Sequence, residues 1–258
     1  MTAPRPLVDY GRLLDVIGIE GELLLGTAAS ALPDAAKAEV PGCPDLTLEG
    51  TLLHVGSVHR VTRQWVRDGR RPENWQRLPS DGDLLGFVRI GLTELMAELR
   101  RHDPTAPCNT WWPADRTHGF WRRRMAHETT VHRVDVQAAA GGPVNPIDPD
   151  IALDGIDEVL FLWFGYRLGQ LGMSSPQQGA VALSAAQRRW LAIFERGRRS
   201  IARRVNEAEA RSADAMVSGD PTAVYLWSWG RLPDQSVQIT GDQDAVAHLW
   251  TVLRPATQ

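Results

Sequence analysis

The chain is poor in cysteine, nearly balanced in charge and short of long apolar runs, and each shortage excludes a class of protein. Among 258 residues there are two cysteines, Cys43 and Cys108. They form neither a C-x-x-C pair nor a zinc-finger spacing. Each adjoins a proline (Cys43-Pro44, Pro107-Cys108), which places both in loops. A disulfide framework is excluded, and the expected setting is a reducing cytoplasm. The formal net charge is −3 and no long basic run occurs, so the footprint of a nucleic-acid-binding protein is missing. No apolar stretch approaches the length that spans a bilayer, and the opening M-T-A-P-R-P-L-V-D-Y lacks the basic and apolar regions of a signal peptide. No internal repeat or low-complexity segment stands out. What is present is ordinary for a globular chain, 43% hydrophobic and 23% charged. Ten tryptophans is a high count, and such side chains cap cores or line cavities.

Helical periodicity predicts helices over residues 7–32, 47–68, 81–102, 118–140 and 150–171. Proline and glycine clusters separate them, with loops over 34–46, 69–80 and 103–117. Thr47 is a candidate N-cap, although Gly50 stands where a capping box would want Glu. Trp111 and Trp112, beside Pro113, either cap the helices or rim a pocket. Four long helices with loops of this length predict a four-helix bundle, and the fifth leads out of it.

After about residue 176 the texture changes. V-A-L-S-A and R-W-L-A-I-F read as short strands, as does S-V-Q-I-T-G-D. Asp220 caps a helix that starts at Pro221 and closes near Gly230. A last helix, D-A-V-A-H-L-W-T-V-L-R, ends the chain. The expected fold is mainly α with a small α+β domain: a helical bundle over 1–175 and an α+β domain over 176–258.

The chemistry centres on M-A-H-E-T-T-V-H-R-V-D, residues 125–135. Glu128 and His132 stand four apart, on one helix face. Such a pair can share a divalent metal, or make a modest hydrogen bond on a solvated face. In the second helix His54 falls on one stripe with Val58, Val61 and Trp65, which aims it inward. His59 lies about 140° away round that helix and reads as a flanking residue. His54, Glu128 and His132 therefore form a candidate ligand set from facing helices. Two imidazoles and a carboxylate leave a coordination position open, the catalytic pattern for zinc. A thiol bound there loses its proton. His127, about 100° from Glu128, reads as packing or surface. Asp135 either orients an imidazole or pairs with Arg133 or Arg60. Arg122, Arg123 and Arg124 read as a solvated basic face, with one of them free to meet an anionic ligand.

The chain resembles the mycothiol-dependent maleylpyruvate isomerase family. The likeness is carried by L-L-H-V-G-S-V-H-R (52–60), by residues 125–135, by V-S-G-D…L-W-S-W-G-R (217–231) and by I-T-G-D (239–242). It implies a DinB-like bundle followed by a domain similar to sterol-carrier proteins. It implies one divalent metal, usually zinc, on His54, Glu128 and His132. It also implies a part in activity for Arg231, holding an anionic group. Without the likeness Arg231 reads as a cation complementing a helix C-terminus. Where many members carry an aromatic after H-R, this chain has Val61 and Val134.

The leading expectation is an enzyme that activates mycothiol as a thiolate against an electrophilic small molecule, one bearing a carboxylate among the candidates. Isomerisation and thiol S-transfer both fit. The rivals are a non-enzymatic ligand carrier with a structural metal, marked by a fourth protein ligand, and a hydrolase that needs no thiol.

Overall fold

The computed structural model describes residues 3–73 and 82–257. Most of the predicted loop over 69–80, and the first residue of the helix expected over 81–102, lie outside them. The chain divides into two compact units, Val8–Asn145 and Ala3–Leu7 with Pro146–Gln258.

The first unit is the expected helical bundle. Helix α1 (Tyr10–Ala31) is capped by Asp9, which accepts from the Arg12 amide. A short ribbon, β1 (Glu39–Val40) and β2 (Cys43–Thr47), follows in the stretch expected to be loop. Helix α2 (Leu48–Asp68) starts on Thr47, whose hydroxyl accepts from the Gly50 amide at 3.1 Å. It stops at Gly69, which takes the left-handed φ of 66° that glycine adopts without strain. Asp83 caps α3 (Leu84–Arg100), and Thr117 caps α4 (His118–Ala139). Helix α1 packs on α3 and α4, and α2 packs on the same two. The α2–α3 contact is close. A Cβ at Gly56 would lie 2.5 Å from the Phe87 ring, so that position must be glycine.

Helix α4 is enclosed on every face. All its residues are buried except Glu128 and Ala138. This overturns the expectation that Arg122, Arg123 and Arg124 form a solvated face. They are only 8%, 4% and 3% exposed. Burying a guanidinium requires that its donors be used. Arg122 donates to the carbonyls of Leu99 (3.0 Å) and His102 (2.8 Å), closing the C-terminal end of α3. Trp111 and Trp112 both pack on Phe120 and act as a cap on the start of α4.

In the second unit, α5 (Pro149–Glu158) passes without a break into a π-helical stretch, Val159–Arg167, and a last turn, α6 (Leu168–Gln170). The sheet consists of β3 (Gly179–Ala185), β4 (Arg188–Phe194), β5 (Ile201–Arg204), β6 (Ala215–Gly219) and β7 (Gln238–Gly241). Its order is β5-β4-β3-β6-β7, antiparallel except where β3 meets β6. Short α7 (Glu207–Arg211), then α8 (Pro221–Ser228) and α9 (Gln243–Thr257), complete it. The division at 145–146 falls well before the boundary expected at 175–176. Helix α5 packs against α8. The fully buried Asp157 near its end accepts from Trp190 Nε1 at 2.8 Å and Arg204 Nε at 2.7 Å. Those bonds tie the fifth helix to the sheet. Among the described residues no helix is long and apolar enough to cross a membrane.

Candidate metal centre

Three side chains from α2 and α4 converge. One ligand atom each from His54, Glu128 and His132 lies within 4.8 Å of the others. Glu128 Oε1 is 2.9 Å from His54 Nε2 and 3.4 Å from His132 Nε2. The imidazole rings meet edge to face at 4.8 Å. Among the described residues these three alone form such a group. The cluster sits where α4 opens, since Glu128 is one of its two residues that are not buried.

The neighbours fix how each ligand presents itself. His132 Nδ1 is 2.9 Å from Oδ2 of Asp135, which is fully buried. Of the two readings of Asp135, this contact fits the one in which it orients an imidazole, with the proton on Nδ1 and Nε2 aimed at the cluster. Arg124 Nη2 donates to Glu128 Oε2 at 3.0 Å. His59 is fully buried, and its Nε2 is 3.1 Å from Thr129 Oγ1, one residue past Glu128. The i, i+4 and i, i+3 spacings of Arg124–Glu128 and His132–Asp135 were visible in the sequence, but a run of three arginines is most often solvent-facing.

The inward direction of α2 differs from the expected one. Its buried face carries Leu48, Leu52, Val55, His59, Thr62 and Val66. The stripe of His54, Val58, Val61 and Trp65 is half-buried, and the His54 side chain is 33% exposed. His54 still reaches the cluster, but from the accessible border of the helix. His127 is fully buried and lies outside the ligand group, as expected of a packing residue. Val134 is buried and Val61 half-buried.

Electrostatics follow from this packing. Burial works against ionisation of Glu128. The charge on His132, hydrogen bonds from His132 and His54, and the charge on Arg124 overcome it and hold the carboxyl well below its usual range. Burial likewise works against the His132 cation, but Glu128 and Asp135 lift it to about 9. Burial, aided by the charges of Arg60, His132 and His54 and opposed by Glu128, drives His59 down to about 4. Without metal the centre is thus a His132 cation on a Glu128 anion, with His59 neutral beneath.

The donor set fits a divalent metal. It has two imidazole nitrogens and a carboxylate oxygen, the types that zinc takes. One imidazole already has its far nitrogen held by a carboxylate, the usual support of a metal-ligating histidine.

Two family models match the sequence. One, the mycothiol maleylpyruvate isomerase N-terminal domain, matches residues 19–137, and the C-terminal domain model of the same enzymes matches residues 150–248. The chain belongs to the mycothiol-dependent maleylpyruvate isomerase family. Two solved structures share its fold, the mycothiol-dependent maleylpyruvate isomerase and a histidine-to-alanine variant. Each aligns with a TM-score of 0.58 at 12% identity, covering 93% of this chain and 97% of the other. No curated protein sequence gives a significant match.

The residue that the family likeness singles out in the second unit, Arg231, follows α8. Its Nη1 donates to the carbonyls of Trp229 and Thr257, both at 2.8 Å. Arg254 on α9 reciprocates, donating through Nη2 to the Ser228 carbonyl at 2.5 Å. The two arginines clasp the C-terminal ends of α8 and α9, where cations complement the helix dipoles. Burial and the charge of Arg231 pull Arg254 down to about 10. Gly230 makes the clasp possible. Its φ is 70°, and a Cβ there would lie 1.4 Å from Arg254 Nη1.

Proposed function

We propose that the protein is an enzyme of the maleylpyruvate isomerase type, using mycothiol as its thiol and a divalent metal, zinc by donor chemistry, held by His54, Glu128 and His132. The observation that carries the reading is a candidate ligand group of three, which no fourth His, Cys, Asp or Glu among the described residues joins, at one of the two positions where α4 is not buried. A structural metal would be enclosed by four protein ligands. A metal bound there would supply Lewis acidity, lowering the pKa of a thiol in its open position so that thiolate forms at neutral pH.

The protein's own groups do the rest. Asp135 keeps the Nδ1 proton of His132 and so frees Nε2. His59, held neutral, adds no competing cation beneath the ligands. In the isomerisation the thiolate adds to a carbon–carbon double bond conjugated to a carbonyl. The π electrons move onto the carbonyl oxygen, the new single bond rotates, and the same electrons return to expel the thiolate. Nothing is consumed. Capture of the adduct by a proton would give a stable conjugate, the S-transfer outcome. Arg231 enters through the family likeness, as a residue that holds an anionic group. Its test is Arg231→Lys, expected to raise KM more than it lowers kcat.

The decisive experiment is metal analysis combined with titration of mycothiol, glutathione and cysteine, following metal-linked proton release. One metal per chain and proton release with mycothiol are expected, both lost in His54→Ala. Purified protein without stoichiometric metal, and a His54→Ala variant with unaltered thiol binding, would sink the reading. Turnover without any thiol would point to a hydrolase instead.

A further inference from the structure

We propose that Arg124 is a positioning residue of the metal centre: it occupies one oxygen of Glu128, leaves the other to the metal, and so keeps a coordination position open for a thiol. The proposal rests on the functional reading above. Its basis is the unequal company of the two carboxylate oxygens. Oε1 faces both imidazole nitrogens, at 2.9 and 3.4 Å. Oε2 accepts from Arg124 Nη2 at 3.0 Å. Arg124 lies one turn before Glu128 on α4 and is 3% exposed, so its guanidinium has no solvent to swing into. A carboxylate can give a cation one oxygen or two. A charge-assisted hydrogen bond to Oε2 favours the one-oxygen mode.

Charge balance points the same way. The ligands and the groups bonded to them include two carboxylates, Glu128 and Asp135, and one guanidinium, Arg124. The guanidinium adds one positive charge beside the metal position, which favours an anionic ligand such as a thiolate there. Without Arg124 that charge is gone, and the pull on an anion is weaker. The residue thus acts twice on the same event, through geometry and through charge.

The test uses cobalt(II) as a visible probe in the full-length protein, followed by mycothiol. Wild type is expected to take up one cobalt per chain and to develop a thiolate-to-cobalt charge-transfer band. Arg124→Gln is expected to take up one cobalt but to bind mycothiol at least tenfold more weakly, the usual scale for a support residue of a metal site. Arg124→Lys, which keeps the charge, is expected to recover part of the loss. A role in folding alone would leave thiol affinity of the folded, cobalt-loaded variant unchanged, and that result overturns the proposal. Should Arg124→Gln fail to fold by circular dichroism, the structure of cobalt-loaded wild type decides. Oε1 alone on the metal, with Oε2 still on Arg124, supports the proposal, and both oxygens on the metal overturn it. Wild type that takes up no cobalt removes the functional reading and this inference together. Wild type that binds cobalt and thiol, with Arg124→Gln its equal, removes only this inference.

Discussion

Two of the arginine–carboxylate pairs on helix α4 are built to different ends. Arg133, fully buried, donates through Nε and Nη2 to Glu20 at 2.5 and 3.3 Å and through Nη1 to Gln137 and to the Asn145 carbonyl. Both Glu20 oxygens are engaged by the same fork, the bidentate geometry in which Arg excels. That pair is closed: donors and acceptors match, and nothing is left for a further ligand. Arg124 engages only one oxygen of Glu128. The other faces two imidazole nitrogens at the accessible border of the helix. The protons shared there sit on imidazoles and can leave, as those of a guanidinium cannot, so the three atoms can be given over to a cation. A buried ion pair is therefore not a signature of function by itself. What separates the two is whether the acceptors are fully matched by fixed donors.

The contrast can be broken from either side. The largest effect is expected from Arg133→Ala, which strands the Glu20 carboxylate. Loss of one partner of a buried pair costs about 3–5 kcal/mol, read as a fall in the midpoint of denaturant unfolding. The folded fraction should still take up metal normally. Next comes metal removal. A chelator should lower the stability of wild type by about 2.7 kcal/mol relative to protein in metal at roughly 100 times Kd, and should leave the melting temperature of His132→Ala unmoved. A variant unable to bind metal that still responds to the chelator would break the assignment of the site.

A smaller effect concerns His59 on α2, whose partner Thr129 lies between the two pairs on α4. Its folded pKa is about 4 against an ordinary 6.5. Between those values the unfolded chain takes up a proton that the folded chain refuses. This contribution is fully present above pH 6.5 and is lost as pH falls toward 4, by at most about 1.4 kcal/mol per pH unit. In metal-free protein, His59→Gln should flatten the decline in stability between pH 6.5 and 5.5. Equal slopes for the two proteins would show that His59 is not held neutral. The smallest effect is that of His54→Ala on metal-free stability. A half-buried side chain whose ion pair lies at the accessible border of the helix should change it by no more than about 1 kcal/mol, seen by the same denaturation. Arg133→Ala would thus weaken the fold and spare the site, and His54→Ala the reverse.

Much of this was legible in the sequence. The caps at Thr47 and Asp220 and the stops at Gly69 and Gly230 depend on local chemistry, which a sequence carries openly. The convergence of His54, Glu128 and His132 was legible because i, i+4 spacing on α4 is a local constraint and His54 needed only to lie on a facing helix. The inward face of α2 was not. Val58, Val61 and Trp65 make an apolar stripe as good as the buried one, and which stripe meets α3 depends on the glycine at 56 admitting Phe87. The buried arginines of α4 were hidden because charge predicts exposure unless the acceptors are known, and those of Arg122 and Arg133 lie far along the chain. Helix 150–171 has the same period as the bundle helices, so nothing in it announced that Asp157 bonds to β4 and β5. Strand β5, I-A-R-R, has too little apolar alternation to stand out.

The clasp at the end of α8 alters how W-S-W-G-R is to be parsed. What position 230 contributes is empty space, and the guanidinium of Arg254 is what fills it. The motif is therefore discontinuous in the chain. Its last member is not Arg231 but a residue on the final helix, which no contiguous pattern would include. Two distant positions, 230 and 254, are thus coupled in space, since any side chain at 230 would displace the guanidinium at 254.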